Sequence, residues 1–191
     1  MSARRALSRS AAALALAGLL VAGCGDDDAS TDVDATVDDV EPVADTTETV
    51  EVTAVDYRYE DLPDAVPAGT RLTLANASTA ELHELVAFRL PDDESRSVSD
   101  LVALPQEEVL PTLGAPVAVL LTPPGGEQIP AVGDGTLTEP GRYAIICVIP
   151  TGADPDEYLQ AAAENEEEGP PQVDGGPPHI AQGMFAELVV E

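Results

Sequence analysis

The sequence predicts an all-β protein, a β-sandwich carrying a short helical insertion before its last strand. Two observations point there. Short apolar or alternating runs rich in β-branched residues recur between Gly/Pro turns. Residues 151–178 interrupt that pattern with a helix-start signature followed by a Pro/Gly-rich return.

The elements follow in order. Val50 and Val52 alternate as in a half-buried strand, which Val55 and Tyr57 continue. Val66-Pro67-Ala68-Gly69-Thr70 is a turn, after which Leu72 and Leu74 share one face. His83–Leu90 (HELVAFRL) reads as a main strand, with Leu85, Ala87 and Arg89 opposite Val86, Phe88 and Leu90. Residues 98–113 suit one or two short helices broken at Pro105, and 116–122 (PVAVLLT) another strand. Pro140-Gly141 turns the chain into Arg142–Ile149 (RYAIICVI). Asp154, Pro155 and Glu157 stand as N-cap, N1 and N3 of a helix running through Ala163. The helix fades in Asn165–Pro170, where acids oppose its negative end. Phe185–Val190 is the closing strand.

Ahead of this domain lie two other segments. Arg4, Arg5 and Arg9 precede an apolar run over 11–22 that is shorter than the ~20 residues a spanning helix needs. Small residues then lead to a cysteine, Val21-Ala22-Gly23-Cys24. The three zones form a secretory leader. The last four residues resemble a bacterial lipobox, which implies cleavage after residue 23 and lipidation of Cys24. A plain leader with an incidental cysteine, or an uncleaved anchor, is the alternative; the abrupt polar turn after Cys24 weighs against it. Residues 25–48 hold ten acids and no base, so 24–48 reads as a lipidated cysteine on a disordered, self-repelling tether. Residues 49–191 form the one domain, large enough for a proper core.

Without residues 1–23 the chain has 36 acidic and 5 basic side chains, a net charge of −31, and no lysine. Such a surface excludes nucleic-acid binding, which needs clustered cations. It is repelled by anionic headgroups, so membrane attachment falls to the acyl chains. It suits a partner with a cationic patch or a metal ion, and equally serves solubility alone.

The chemistry sits in few residues. Beyond Met1 and Cys24, the soft ligands are His83, Cys147, His179 and Met184. Two imidazoles, a thiolate and a weak axial thioether make up a blue-copper ligand set. Taken singly, each residue has a plainer role: a loop-capping or exposed histidine, a buried thiol, a core methionine. Their order and spacing argue jointly, as does the scarcity, since there is no spare His or Met.

In PAGTRLTLANASTAELHEL, PGRYAIICVIP and HIAQGMFAELVV the chain resembles the cupredoxin family, of which plastocyanin and azurin are members. The His179-x4-Met184 spacing with Gly183 before the methionine is plastocyanin-like. The resemblance covers most of 49–90 and 116–191. It implies a Greek-key β-sandwich holding one type 1 copper, with His83, Cys147 and His179 as equatorial ligands and Met184 axial. Two features depart from it. Simple members put few residues between ligand Cys and ligand His, whereas 31 intervene here. A tenfold longer loop costs roughly 2 kcal/mol, small beside a metal-binding energy on the order of 10 kcal/mol. Glu84 directly follows a ligand histidine and, by strand alternation, is expected to face away from the metal.

The implied function is electron transfer by a membrane-anchored, extracytoplasmic copper protein, not an enzyme, acting as a monomer with a cationic protein redox partner. Copper trafficking or storage, and a copper-free interaction module using 151–178, are the alternatives. Asn76-Ala77-Ser78 matches a glycosylation sequon by accident in such a protein.

Overall fold

A computed structural model describes residues 47–165 and 169–191. The leader over 1–23, Cys24 and the tether up to residue 46 lie outside the described residues.

Among the described residues ten strands form two sheets. They are β1 (Thr49–Val55), β2 (Arg58–Glu60), β3 (Ala65–Val66), β4 (Thr70–Asn76), β5 (His83–Arg89), β6 (Ala118–Thr122), β7 (Ile129–Val132), β8 (Thr136–Leu137), β9 (Gly141–Ile146) and β10 (Phe185–Val190). The four-stranded sheet has the order β2-β1-β4-β8, the six-stranded one β3-β10-β9-β5-β6-β7. Within the larger sheet β5, β6 and β7 are successive antiparallel neighbours, and β9 returns through the other sheet to lie antiparallel beside β5. That 4-1-2-3 order is a Greek key, as the resemblance implies.

The sandwich core joins both sheets. Val52, Ala54, Leu72 and Leu74 of the small sheet meet Leu85, Ala87, Leu120, Tyr143, Ile145 and Leu188 of the large one. A second core lies behind the large sheet. There α1 (Val98–Val102) and α2 (Gln106–Leu113) bury Val98, Leu101, Val109 and Leu113 against Val86, Phe88, Ala144 and Ile146. This third layer explains HELVAFRL: β5 is covered on both faces, so its apolar run is continuous. Ser97 caps α1 in a reciprocal box with Asp100, and Pro105 separates the helices, as expected. Arg142 ties this layer down, pairing with Glu187 at 2.8 Å and donating to the carbonyls of Glu94 and Arg96.

Several boundaries differ from expectation. In β1 the buried positions are Val52 and Ala54, while Val55 falls on the other parity and Tyr57 lies beyond the strand with φ 62. The turn shrinks to residues 67–69, because Val66 pairs with Val190 and Thr70 already belongs to β4. β9 stops at Ile146, three residues short of Ile149, because the next backbone groups bond elsewhere. Gly135 stands where a Cβ would meet the Leu72 carbonyl at 2.2 Å, so only glycine lets the β7–β8 turn close on β4.

The helix expected from Asp154 is present and runs one residue beyond Ala163. Asp154 caps α3 (Pro155–Glu164) by accepting from the Asp156 and Glu157 N–H groups, and Tyr158 is buried in the sandwich core.

Candidate metal centre

The four soft ligands come from three places at one end of the sandwich. His83 is the first residue of β5, opposite Thr122. The loop before it is stapled by Asn76, whose Nδ2 donates to the Glu81 and Thr122 carbonyls while its Oδ1 accepts from Ser78 N–H. That use commits both amide protons of Asn76 to the fold, in keeping with an accidental sequon.

Cys147 follows β9, while His179 opens a single 3-10 turn (His179–Gln182) and Met184 lies just past it, ahead of β10. Gly183 closes this turn with φ 104, a conformation that suits glycine. Backbone bonds lace the two segments together. Cys147 N–H donates to the Met184 carbonyl, Ile180 N–H to that of Cys147, and His179 N–H to that of Ile149. The 31 intervening residues are pinched off at a neck, where Pro150 bridges Pro178 and Thr151 N–H reaches the Pro177 carbonyl. The insertion therefore leaves and returns at one point, and its length does not separate Cys147 from His179.

Donor atoms of His83, Cys147 and His179 all lie within 4.8 Å of one another. The imidazole rings stand 4.9 Å apart at 54°, and Cys147 Sγ is 3.3 Å from His179 Nδ1. His83, Cys147, His179 and Met184 are each fully buried. Met184 sits in the sandwich core, its carbonyl tied to Cys147 as above. Among the described residues His83, Cys147 and His179 form the one such cluster.

Burial sets the protonation states. Desolvation, and then the neighbouring His179, push the His83 pKa down to about 4. Burial likewise lowers His179, against the pull of Glu81. Burial and the nearby Glu84 push the Cys147 thiol up, so without metal it keeps its proton and can donate it to His179 Nδ1. Glu84 lies on the opposite face of β5 from His83, as alternation requires, and its Oε1 accepts from Val148 N–H at 2.8 Å. Burial raises its pKa to about 7.

The donor set fits a copper ion on two grounds. Both ring nitrogens of His83 are buried with no hydrogen-bond partner among the described residues, and such a group costs about 1–3 kcal/mol if left unmet. The elements present, two neutral imidazoles and a thiol, are the soft and borderline ligands copper prefers, and Met184 is joined to Cys147 through its backbone carbonyl.

One residue at the centre has no sequence signal. Glu81 approaches His179 Nε2 from outside at 3.3 Å, and 98 positions separate the two.

No family model and no curated protein matches this chain. Solved structures do. A dithionite-reduced auracyanin from the photosynthetic bacterium Roseiflexus castenholzii is 23% identical, with TM-score 0.43, over 76% of this chain and 98% of its own. Auracyanin A, a "blue" copper protein from the green thermophilic photosynthetic bacterium Chloroflexus aurantiacus, is 18% identical, with TM-score 0.38, over 75% and 98%. Auracyanin B is 18% identical, with TM-score 0.35, over 75% and 88%.

Proposed function

We propose that this protein is a lipid-anchored, extracytoplasmic electron carrier of the cupredoxin kind, holding one type 1 copper. His83, Cys147 and His179 would hold the metal, with Met184 as a weaker fourth ligand. The observation that carries the reading is the convergence of three buried donors within 4.8 Å, one of them an imidazole with neither nitrogen satisfied. Copper in such a donor set exchanges one electron between Cu(I) and Cu(II) with little rearrangement.

The chain's own residues do the rest. β5 and the laced 147–149 and 179–184 segments hold the donors on rigid backbone, so their spacing is set before any metal arrives. Full burial keeps bulk water from the site. The acidic surface favours a redox partner with a cationic patch, met at a rate that falls with ionic strength. Cys24 as lipid anchor and 25–48 as leash would hold the domain near membrane-bound partners at the extracytoplasmic face. A storage or trafficking role finds no further soft ligands to work with, and a copper-free module leaves the His83 nitrogens unexplained.

The test is a redox titration of the copper-loaded full chain. Reversible one-electron cycling, fast and complete in both directions, supports electron transfer. Copper released on reduction, or cycling too slow to reverse, counts against it.

A further inference from the structure

Among the described residues Glu81 brings a carboxylate to hydrogen-bonding distance of the donor set. Its Oε2 lies 3.3 Å from His179 Nε2 and accepts the Gly152 N–H at 3.0 Å. Its own backbone is fixed: the N–H donates to Ser78 Oγ and the carbonyl accepts from Asn76 Nδ2. The carboxylate is thus gripped by the 76–81 loop on one side and by the start of the insertion on the other. Tyr57 closes the remaining edge, its ring 5.0 Å from that of His179.

The partners decide the tautomer. A carboxylate only accepts, so His179 Nε2 carries the proton and Nδ1 keeps the lone pair that faces Cys147 Sγ at 3.3 Å. A ligating histidine whose other N–H is held by a carboxylate is fixed in orientation and made more basic. His83 has no such support, so the two imidazoles are unequal.

We propose that Glu81 is a positioning residue for His179, fixing its Nδ1 toward Cys147, adding negative charge at the donor set, and linking the 151–178 insertion to the ligand through Gly152. The charge effect rests on the copper reading above; the tautomer does not, because it holds in the metal-free protein.

The experiment has two arms on the full chain, using Glu81→Gln, whose amide oxygen still accepts the N–H, and Glu81→Ala, which removes it. In metal-free protein, nitrogen NMR of the imidazoles should find His179 protonated at Nε2 in wild type and Glu81→Gln, and a mixed tautomer in Glu81→Ala. In copper-loaded protein, Glu81→Gln should favour Cu(I) over Cu(II) about tenfold more than wild type, on the order of 59 mV upward for a one-electron couple. Glu81→Ala should weaken Cu(II) binding roughly 10–100-fold. A merely structural Glu81 would lower Tm in its variants and move neither tautomer nor potential, and that outcome overturns the proposal. So does wild-type His179 protonated at Nδ1. If wild type takes up no copper, the copper reading fails, and the tautomer arm still decides the positioning role.

Discussion

Replacing His83 with leucine separates the cost of this site from its use. The His83 ring is fully buried, with both nitrogens unpartnered among the described residues, and lies at the edge of a well-packed sandwich. Unmet buried polar groups cost about 1–3 kcal/mol, whereas an apolar residue of similar size carries no such penalty. His83→Leu should therefore stabilise the metal-free protein by about 1–3 kcal/mol. For a domain of this size that is a rise in Tm of roughly 3–12 °C. Copper should reverse the order. At free copper one hundred times its Kd, wild type gains about 2.7 kcal/mol by mass action, while the variant has lost a ligand and gains little. Thermal unfolding of the two full chains, in chelator and in excess Cu(II), reads both effects. If His83→Leu is the less stable protein in chelator, His83 is an ordinary structural histidine. Equal shifts of both proteins by copper would refute its role as a ligand.

Other perturbations test the frame around the site. Tyr158 anchors the insertion in the core at 1% exposure, so Tyr158→Ala should cost about 3–5 kcal/mol and expose residues 151–178 to early proteolysis. The Arg142 guanidinium holds Glu187 below the ordinary carboxylate range, so the pair's stabilisation is present above that range and lost as pH falls through the folded value. A third of each side chain is exposed, which limits the contribution to about 0.5–1 kcal/mol; urea unfolding of Glu187→Gln against pH should show it vanish in acid. Cys24→Ser should move the protein from the membrane fraction to the soluble one, read by fractionation and blotting. Shortening 25–48 should slow reduction by a membrane-bound partner and leave the visible copper spectrum unchanged.

What was legible in the sequence was whatever a local pattern or a scarce residue type could carry. Leu72 and Leu74 announced their shared face, Phe185–Val190 its strand, and Asp154-Pro155 its helix start, because each signal lies within a few residues. His83, Cys147 and His179 were readable as a set because hardly any other soft ligand exists in the chain. The small elements escaped. β2 and β8 have three and two residues, and β7 is exposed along its length with Pro130 inside it, as only an edge strand allows. Cys147 looked like strand, yet its backbone groups turn to Met184 and Ile180, contacts between distant segments that no periodicity reports. The Pro150–Pro178 neck and the reach of Glu81 to His179 are of the same kind. Both depend on the closed sandwich, which brings residues 98 positions apart within hydrogen-bonding distance.

The most direct measurement is a titration of the metal-stripped full chain with Cu(II), followed in the visible. One equivalent of copper should bind and produce an intense thiolate-to-copper band that Cys147→Ser abolishes. A colourless protein with no stoichiometric uptake would contradict the account.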